Sequence, residues 1–185
     1  MNIKKLHTMM LALLLTMLFT QVTFAKTAQE IDKEVDIAIT KFKSEINGGA
    51  KFLTNVKGYL VFPTVIKAGL IVGGKYGEGA LRIDNITKHY YDMTAASIGF
   101  QAGAQKYSML IAFLSDTALQ NFIHSNGWEA GVDGTITVSD WGKSKDLTSL
   151  SFEKPIVAFI YGEEGLMASV SIAGTKFRRI IPSSK

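Results

Sequence analysis

Apolar positions recur at two different periods along this chain, and the change from one period to the other divides it. Between residues 28 and 47 they fall three or four apart, at Ile31, Val35, Ile39, Phe42 and Ile46, which draws one apolar stripe down a helix. Thr27-Ala28-Gln29-Glu30 ahead of it has the capping-box pattern, and Gly48-Gly49 behind it is a stop signal. Glu30, Asp32, Glu34 and Asp36 precede Lys41 and Lys43, the order that suits the helix dipole. The pattern therefore predicts a helix from Ala28 to Asn47. A shorter one follows over Ala50 to Val56 with Phe52, Leu53 and Val56 as its buried side. A third is predicted from Asp116 to Ile123, capped by Ser115 or Asp116 and buried along Leu119, Phe122 and Ile123.

From Tyr59 onward the period drops to two. The strand candidates are Tyr59–Phe62, Ala68–Gly73, Gly79–Ile83, His89–Tyr91, Ala95–Gln105, Ser108–Phe113, Thr135–Val138, Ile156–Ile160, Met167–Ala173 and Phe177–Ile181. Within Ala96 to Gly103, apolar Ile98, Phe100 and Ala102 alternate with Ser97, Gly99 and Gln101, so one face is core and the other nearly bare backbone. Many short strands joined by glycine-rich turns predict an α+β fold: a curved antiparallel sheet closing into a β-barrel-like core over about 58–182, with about three helices packed outside. Trp141 to Ser151 has no period and is expected to be an exposed loop.

The stretch Val61 to Leu81 concentrates glycine in otherwise apolar sequence. Pro63 is expected to end a strand, and Gly69, Gly73, Gly74, Gly77 and Gly79 are read as structural glycines of a bent sheet. Phosphate-loop chemistry is excluded because Gly74-Lys75 is followed by Tyr76 where a magnesium-binding hydroxyl is needed. The dinucleotide fingerprint also fails, since no G-x-G-x-x-G leads into a helix.

Residues 1–25 read as a signal peptide: Lys4 and Lys5, an apolar run from Met9 to Phe19, then Thr23-Phe24-Ala25 as a small-x-small cleavage site. Cleavage near Ala25 predicts a periplasmic or secreted protein, and the remaining 26–185 is enough for a single domain. There are no cysteines, so neither a lipoprotein anchor nor a disulfide scaffold is expected. The formal charge of +4 becomes +2 once Lys4 and Lys5 are removed, which is no nucleic-acid footprint. Its distribution is more informative. From Ile46 to Gly77 there is no acidic residue, while Lys51, Lys57, Lys67 and Lys75 all fall there.

Catalytic constellations are missing from the pattern. After the leader only His89 and His124 remain as histidines, too few for the usual zinc sites, and no His-Glu-x-x-His or Gly-x-Ser-x-Gly occurs. A hydrolase would need one of them beside a carboxylate and a hydroxyl, and nothing in the sequence points to that. Glu163-Glu164, between Tyr161-Gly162 and Gly165, reads as a hairpin tip, and Asn85-Ile86-Thr87 is a sequon by pattern alone. No enzyme, metal or cofactor is expected.

Six blocks occur in order: Val61-Phe62-Pro63 with Lys67-Ala68-Gly69; Gly73-Gly74-Lys75-Tyr76-Gly77-Glu78-Gly79; Gly99-Phe100-Gln101-Ala102-Gly103-Ala104-Gln105; Gly127-Trp128-Glu129-Ala130-Gly131-Val132; Gly165-Leu166-Met167-Ala168; and Gly174-Thr175-Lys176. This series resembles the SYLF-domain family and covers nearly all of the chain after the leader. The resemblance implies a β-barrel core with helices on its surface, lipid binding, and actin binding in eukaryotic endocytic members. It also implies a lipid-contacting amphipathic N-terminal helix in such members. Here Lys33, Lys41 and Lys43 on that helix are outnumbered by Glu30, Asp32, Glu34, Asp36 and Glu45, which favours a stripe packed on the core.

The ligand expected is an anionic phospholipid or phosphorylated head group, bound without catalysis. Actin is set aside as a partner because of the signal peptide, and nucleic acid because of the charge. The candidate head-group contacts are Lys51, Lys57, Lys67 and Lys75, joined by Lys176, Arg178 and Arg179 if the fold brings the ends together. Arg178 and Arg179, consecutive in a strand, should face opposite ways. Three alternatives stand beside this reading: the lysines are only a solvated face, the domain is an envelope protein-interaction or stress module that does not bind lipid, or it is an unrecognised hydrolase built on His89 or His124.

Overall fold

The computed structural model describes residues 26–69, 72–98, 103–125, 127–139, 147, 154–164 and 171–184. Helix α1 (Ala28–Glu45) and helix α2 (Gly49–Asn55) precede strands β1 (Gly58–Gly69), β2 (Val72–Ile83), β3 (Ile86–Ile98) and β4 (Gly103–Phe113). Helix α3 (Asp116–His124) follows, then β5 (Trp128–Glu129), β6 (Thr137–Ser139), β7 (Ile156–Glu164) and β8 (Lys176–Ile180). The caps read from sequence form. Thr27 and Glu30 make a reciprocal capping box at α1, and the Ser115 hydroxyl accepts from the Ala118 amide at α3.

The eight strands form one sheet in the order β5-β8-β3-β2-β1-β4-β7-β6, antiparallel throughout except for the β6–β7 pair. It curls into a half-barrel. The Phe122 ring of α3 lies 5.0 Å from Phe113 on β4 and 5.7 Å from Trp128 on β5, centroid to centroid. Flat, those two strands would be five spacings or about 24 Å apart, so only a curled sheet brings both to one ring.

Both faces of the middle strands are buried, which is why β1 and β4 open and close on unbroken apolar runs. Leu60 and Phe62 with Met109, Ile111 and Phe113 join an inner core closed by α3, while Tyr59 and Val61 with Leu110 and Ala112 join an outer core under α1 and α2. The stripe of α1 is spent there: Ile31, Val35, Ala38, Ile39 and Phe42 are all buried. The acidic side of α1 is anchored too. Asp32 accepts from Thr87 Oγ1 (2.6 Å) and the Tyr90 hydroxyl (2.8 Å) and faces Arg82, which also reaches Asp36 at 2.9 Å. Among the described residues no helix is long and apolar enough to cross a membrane.

Pro63 does not end a strand. β1 runs through it because a bulge at Phe62-Pro63 shifts the register against β2 and β4 together. The Ser108 hydroxyl takes up the Pro63 carbonyl at 2.8 Å. Opposite the bulge, a Cβ on Gly79 would collide with the Val61 carbonyl, and one on Gly77 would sit 3.0 Å from the Thr64 carbonyl oxygen. Gly74 is different, since a Cβ there would meet only the Ala95 carbonyl oxygen at 3.6 Å.

Three other expectations are redrawn. Of Ala68–Gly73, residues 70–71 lie outside the described residues, and the rest are the paired ends of β1 and β2, with Gly69 opposite Gly73. Ala95–Gln105 is divided between β3 and β4, and residues 99–102 lie outside the described residues. Of Met167–Ala173, residues 167–170 lie outside them and Ser171-Ile172-Ala173 is not strand. The expected loop Trp141–Ser151 is described only at Leu147, which is buried in the outer core with its amide 3.0 Å from the Asn47 carbonyl. The signal segment 1–25 also lies outside the described residues.

Candidate functional site

The seven basic residues singled out by the sequence do not form one patch. Lys57 precedes β1 and Lys67 lies near its far end, about 30 Å away along a strand. Lys51 is exposed on α2, and Lys57 pairs with Asp116 at 3.0 Å. Lys176 lies 3.5 Å from Glu129, and Arg178 is bound to the buried carboxylate of Asp92. Arg179 is exposed and, as register partner of Tyr91, faces the inner side. Arg178 faces the outer side, as strand alternation requires.

Lys67 and Lys75 are brought together. They are direct partners in the β1–β2 register, with Gln105 beside Lys67 and Ala95 beside Lys75. The adjacent row, two residues along each strand, is Tyr107, Val65, Gly77, Met93 and Phe177, whose large side chains belong to the inner core. Alternation therefore puts both lysines on the inner face, at the end of the half-barrel. The next row outward is Gly103, Gly69, Gly73 and Ser97, so three of its four positions carry no side chain that could cover the lysines.

Two cations face each other in this row. Lys75 is only 9% exposed, and its ammonium donates to the Ser171 carbonyl. Burial, and then the charge of Lys67, lower its pKa below the ordinary lysine value. Like charges directly opposed on a sheet cost stability. Two ammonium groups on one wall carry the charge that attracts an oxyanion. Gly69 and Gly73 were expected as structural glycines, but the placing of Gln105 and of the glycine row beside the lysines was not. Their signal was the strand alternation, which becomes readable only when the bulge at Pro63 is known.

His124 sits on α3 with Nδ1 2.8 Å from the Gln120 carbonyl, and His89 lies among cations. Glu163 and Glu164, expected at a hairpin tip, end β7, where Glu164 is the register partner of Lys106. Asn85 forms the β2–β3 turn with Asp84, both at positive φ, and its side-chain carbonyl accepts from the Tyr59 hydroxyl at 2.7 Å. Among the described residues no group of three His, Cys, Asp or Glu could hold a metal ion.

Comparison with protein families gives a match over residues 94–179 to the family model described as Ysc84, Las17-binding protein actin regulator. The match runs from the second half of β3 to the end of β8. It includes Gln105, Lys176, Arg178 and Arg179, and stops short of the β1–β2 hairpin. Comparison with curated proteins gives no match.

Proposed function

We propose that this protein, whose residues 94–179 match the Ysc84 family model, is a non-catalytic binding domain that takes anionic phospholipid or phosphorylated head groups in the cell envelope. The observation that carries the reading is the opposition of Lys67 and Lys75 on the inner face, with glycines beside them. A lysine near an anionic surface contributes about 1 kcal/mol, so two give weak, salt-sensitive association. The actin regulation in the family description is not extended to this chain, because the reading of residues 1–25 as a secretory leader takes it away from actin.

The test is co-sedimentation with neutral vesicles and with vesicles containing phosphatidylglycerol, at low and high salt. The expected result is sedimentation only with the anionic vesicles, reduced by salt and by Lys67→Gln combined with Lys75→Met. Equal sedimentation with both vesicle types, or with neither, overturns the proposal.

A second reading has its own support. On the outer face of the same hairpin Ile66 and Tyr76 are register partners, 42% and 46% exposed, beside the small residues Ala68, Gly74 and Ala96. An exposed apolar pair there fits a protein partner, and Tyr76→Ser would then abolish binding while leaving vesicle association unchanged.

A further inference from the structure

We propose a second anion site on the inner face, in which Arg179, His89 and the hydroxyl of Tyr91 together receive one phosphate-type oxyanion. It lies about 13 Å along β3 from the row of the lysine pair and stands whether or not that pair binds lipid.

Three observations converge on it. Tyr91 belongs to the inner core, 3% exposed, and its hydroxyl is buried with no hydrogen-bond partner. A buried hydroxyl left unpaired is costly, and the missing partner is an acceptor or a donor that the surrounding side chains do not supply. Arg179 is the register partner of Tyr91 and His89 precedes it by two residues, so all three share one face. The His89 and Tyr91 rings meet edge to face with centroids 6.5 Å apart.

The charges around them have one sign. Burial, then Arg179 from β8 and Lys88 from β3, hold the His89 pKa below its ordinary value. Arg179 also acts on the Tyr91 hydroxyl, opposing the rise that burial causes there. Neither Arg179 nor His89 has a carboxylate partner among the described residues, in contrast to Arg178 next door on Asp92. An oxyanion held between them would accept from the guanidinium fork, from an imidazole N–H and from the Tyr91 O–H, which satisfies the orphan group and relieves the repulsion at once.

Imidazole resonances of the protein, followed by NMR during addition of inorganic phosphate, glycerol phosphate and phosphatidylglycerol vesicles, test the site. His124 is the internal control. The expected result is a saturable shift at His89 alone, with its titration midpoint raised by about one pH unit at saturation, since a bound anion favours the imidazolium. Arg179→Gln should remove the shift, Tyr91→Phe should weaken binding about threefold to tenfold, and Lys67→Gln should leave it intact. A response to the soluble anions identifies a free phosphate ligand, and a response to vesicles alone a lipid head group. No response at His89 to any probe, or the same response in Arg179→Gln, overturns the proposal.

Discussion

Phe62 and Phe177 meet with ring centroids 5.8 Å apart, although β2 and β3 lie between the strands that carry them. Three strand spacings in a flat sheet would separate those strands by about 14 Å, so the contact is a product of the curl. Phe177 also touches Trp128 and Phe122, which makes it a joint between β8, the short edge strand β5 and α3. Phe177→Ala is expected to cost about 3–5 kcal/mol in urea unfolding, the range for a fully buried aromatic ring. An equal truncation at exposed Tyr76 should cost far less.

The bulge that bends β1 makes a sharper prediction about glycine. Gly79→Ala must displace the Val61 backbone, whereas Gly74→Ala places its methyl in ordinary contact with the Ala95 carbonyl. Thermal unfolding should therefore show a loss of more than about 2 kcal/mol at Gly79 and little change at Gly74. Similar losses at both positions would mean that the bulge is not what requires glycine there.

The helices were legible because each carried its own period and cap: Thr27 with Glu30 marked α1, and Ser115 marked α3. The strands were legible as apolar runs, but their ends were not. Pro63 looked like a terminator because a proline removes a donor, and the bulge that absorbs it needs Gly79 and Ser108, which lie 16 and 45 residues away. The basic segment showed the same limit. Lys51, Lys57, Lys67 and Lys75 are one cluster in sequence, yet a 12-residue strand carries the cluster's halves to opposite ends of the sheet. Pairing partners such as Asp116 for Lys57 and Glu129 for Lys176 come from distant elements and leave no trace in local composition.

Asp32 ties α1 to the sheet, and its effect can be read at Tyr90. Burial, then the hydrogen bond to Asp32 and its charge, push the Tyr90 pKa up to about 12. A folded pKa above the unfolded one means that this interaction stabilises fully below about pH 10 and is lost as pH rises toward 12. Asp32→Asn should move the tyrosinate absorbance transition of Tyr90 downward. It should also cost about 1–3 kcal/mol, because the amide keeps an oxygen for Thr87 but loses the charge that faces Arg82 and the second oxygen that accepts from Tyr90. An unchanged Tyr90 titration would show that burial alone sets its value.

Lys75 offers the clearest separation of stability from binding. Its ammonium faces that of Lys67 across the β1–β2 register, and burial, then that charge, lower its pKa below the ordinary lysine value. Between the lowered folded pKa and the ordinary lysine value the unfolded chain holds a proton that the folded protein has released. Stability should therefore rise with pH across that window. Lys75→Met keeps most of the stem and removes the charge. It should stabilise the fold by up to about 1 kcal/mol, or about 2–4 °C in Tm, and flatten that alkaline rise. The same change should weaken association with anionic vesicles about fivefold, the worth of one lysine near such a surface. A gain in stability together with a loss of binding is what a residue kept for an anion must show. A variant that loses stability while vesicle association is unchanged would make Lys75 a structural donor to Ser171 and nothing more.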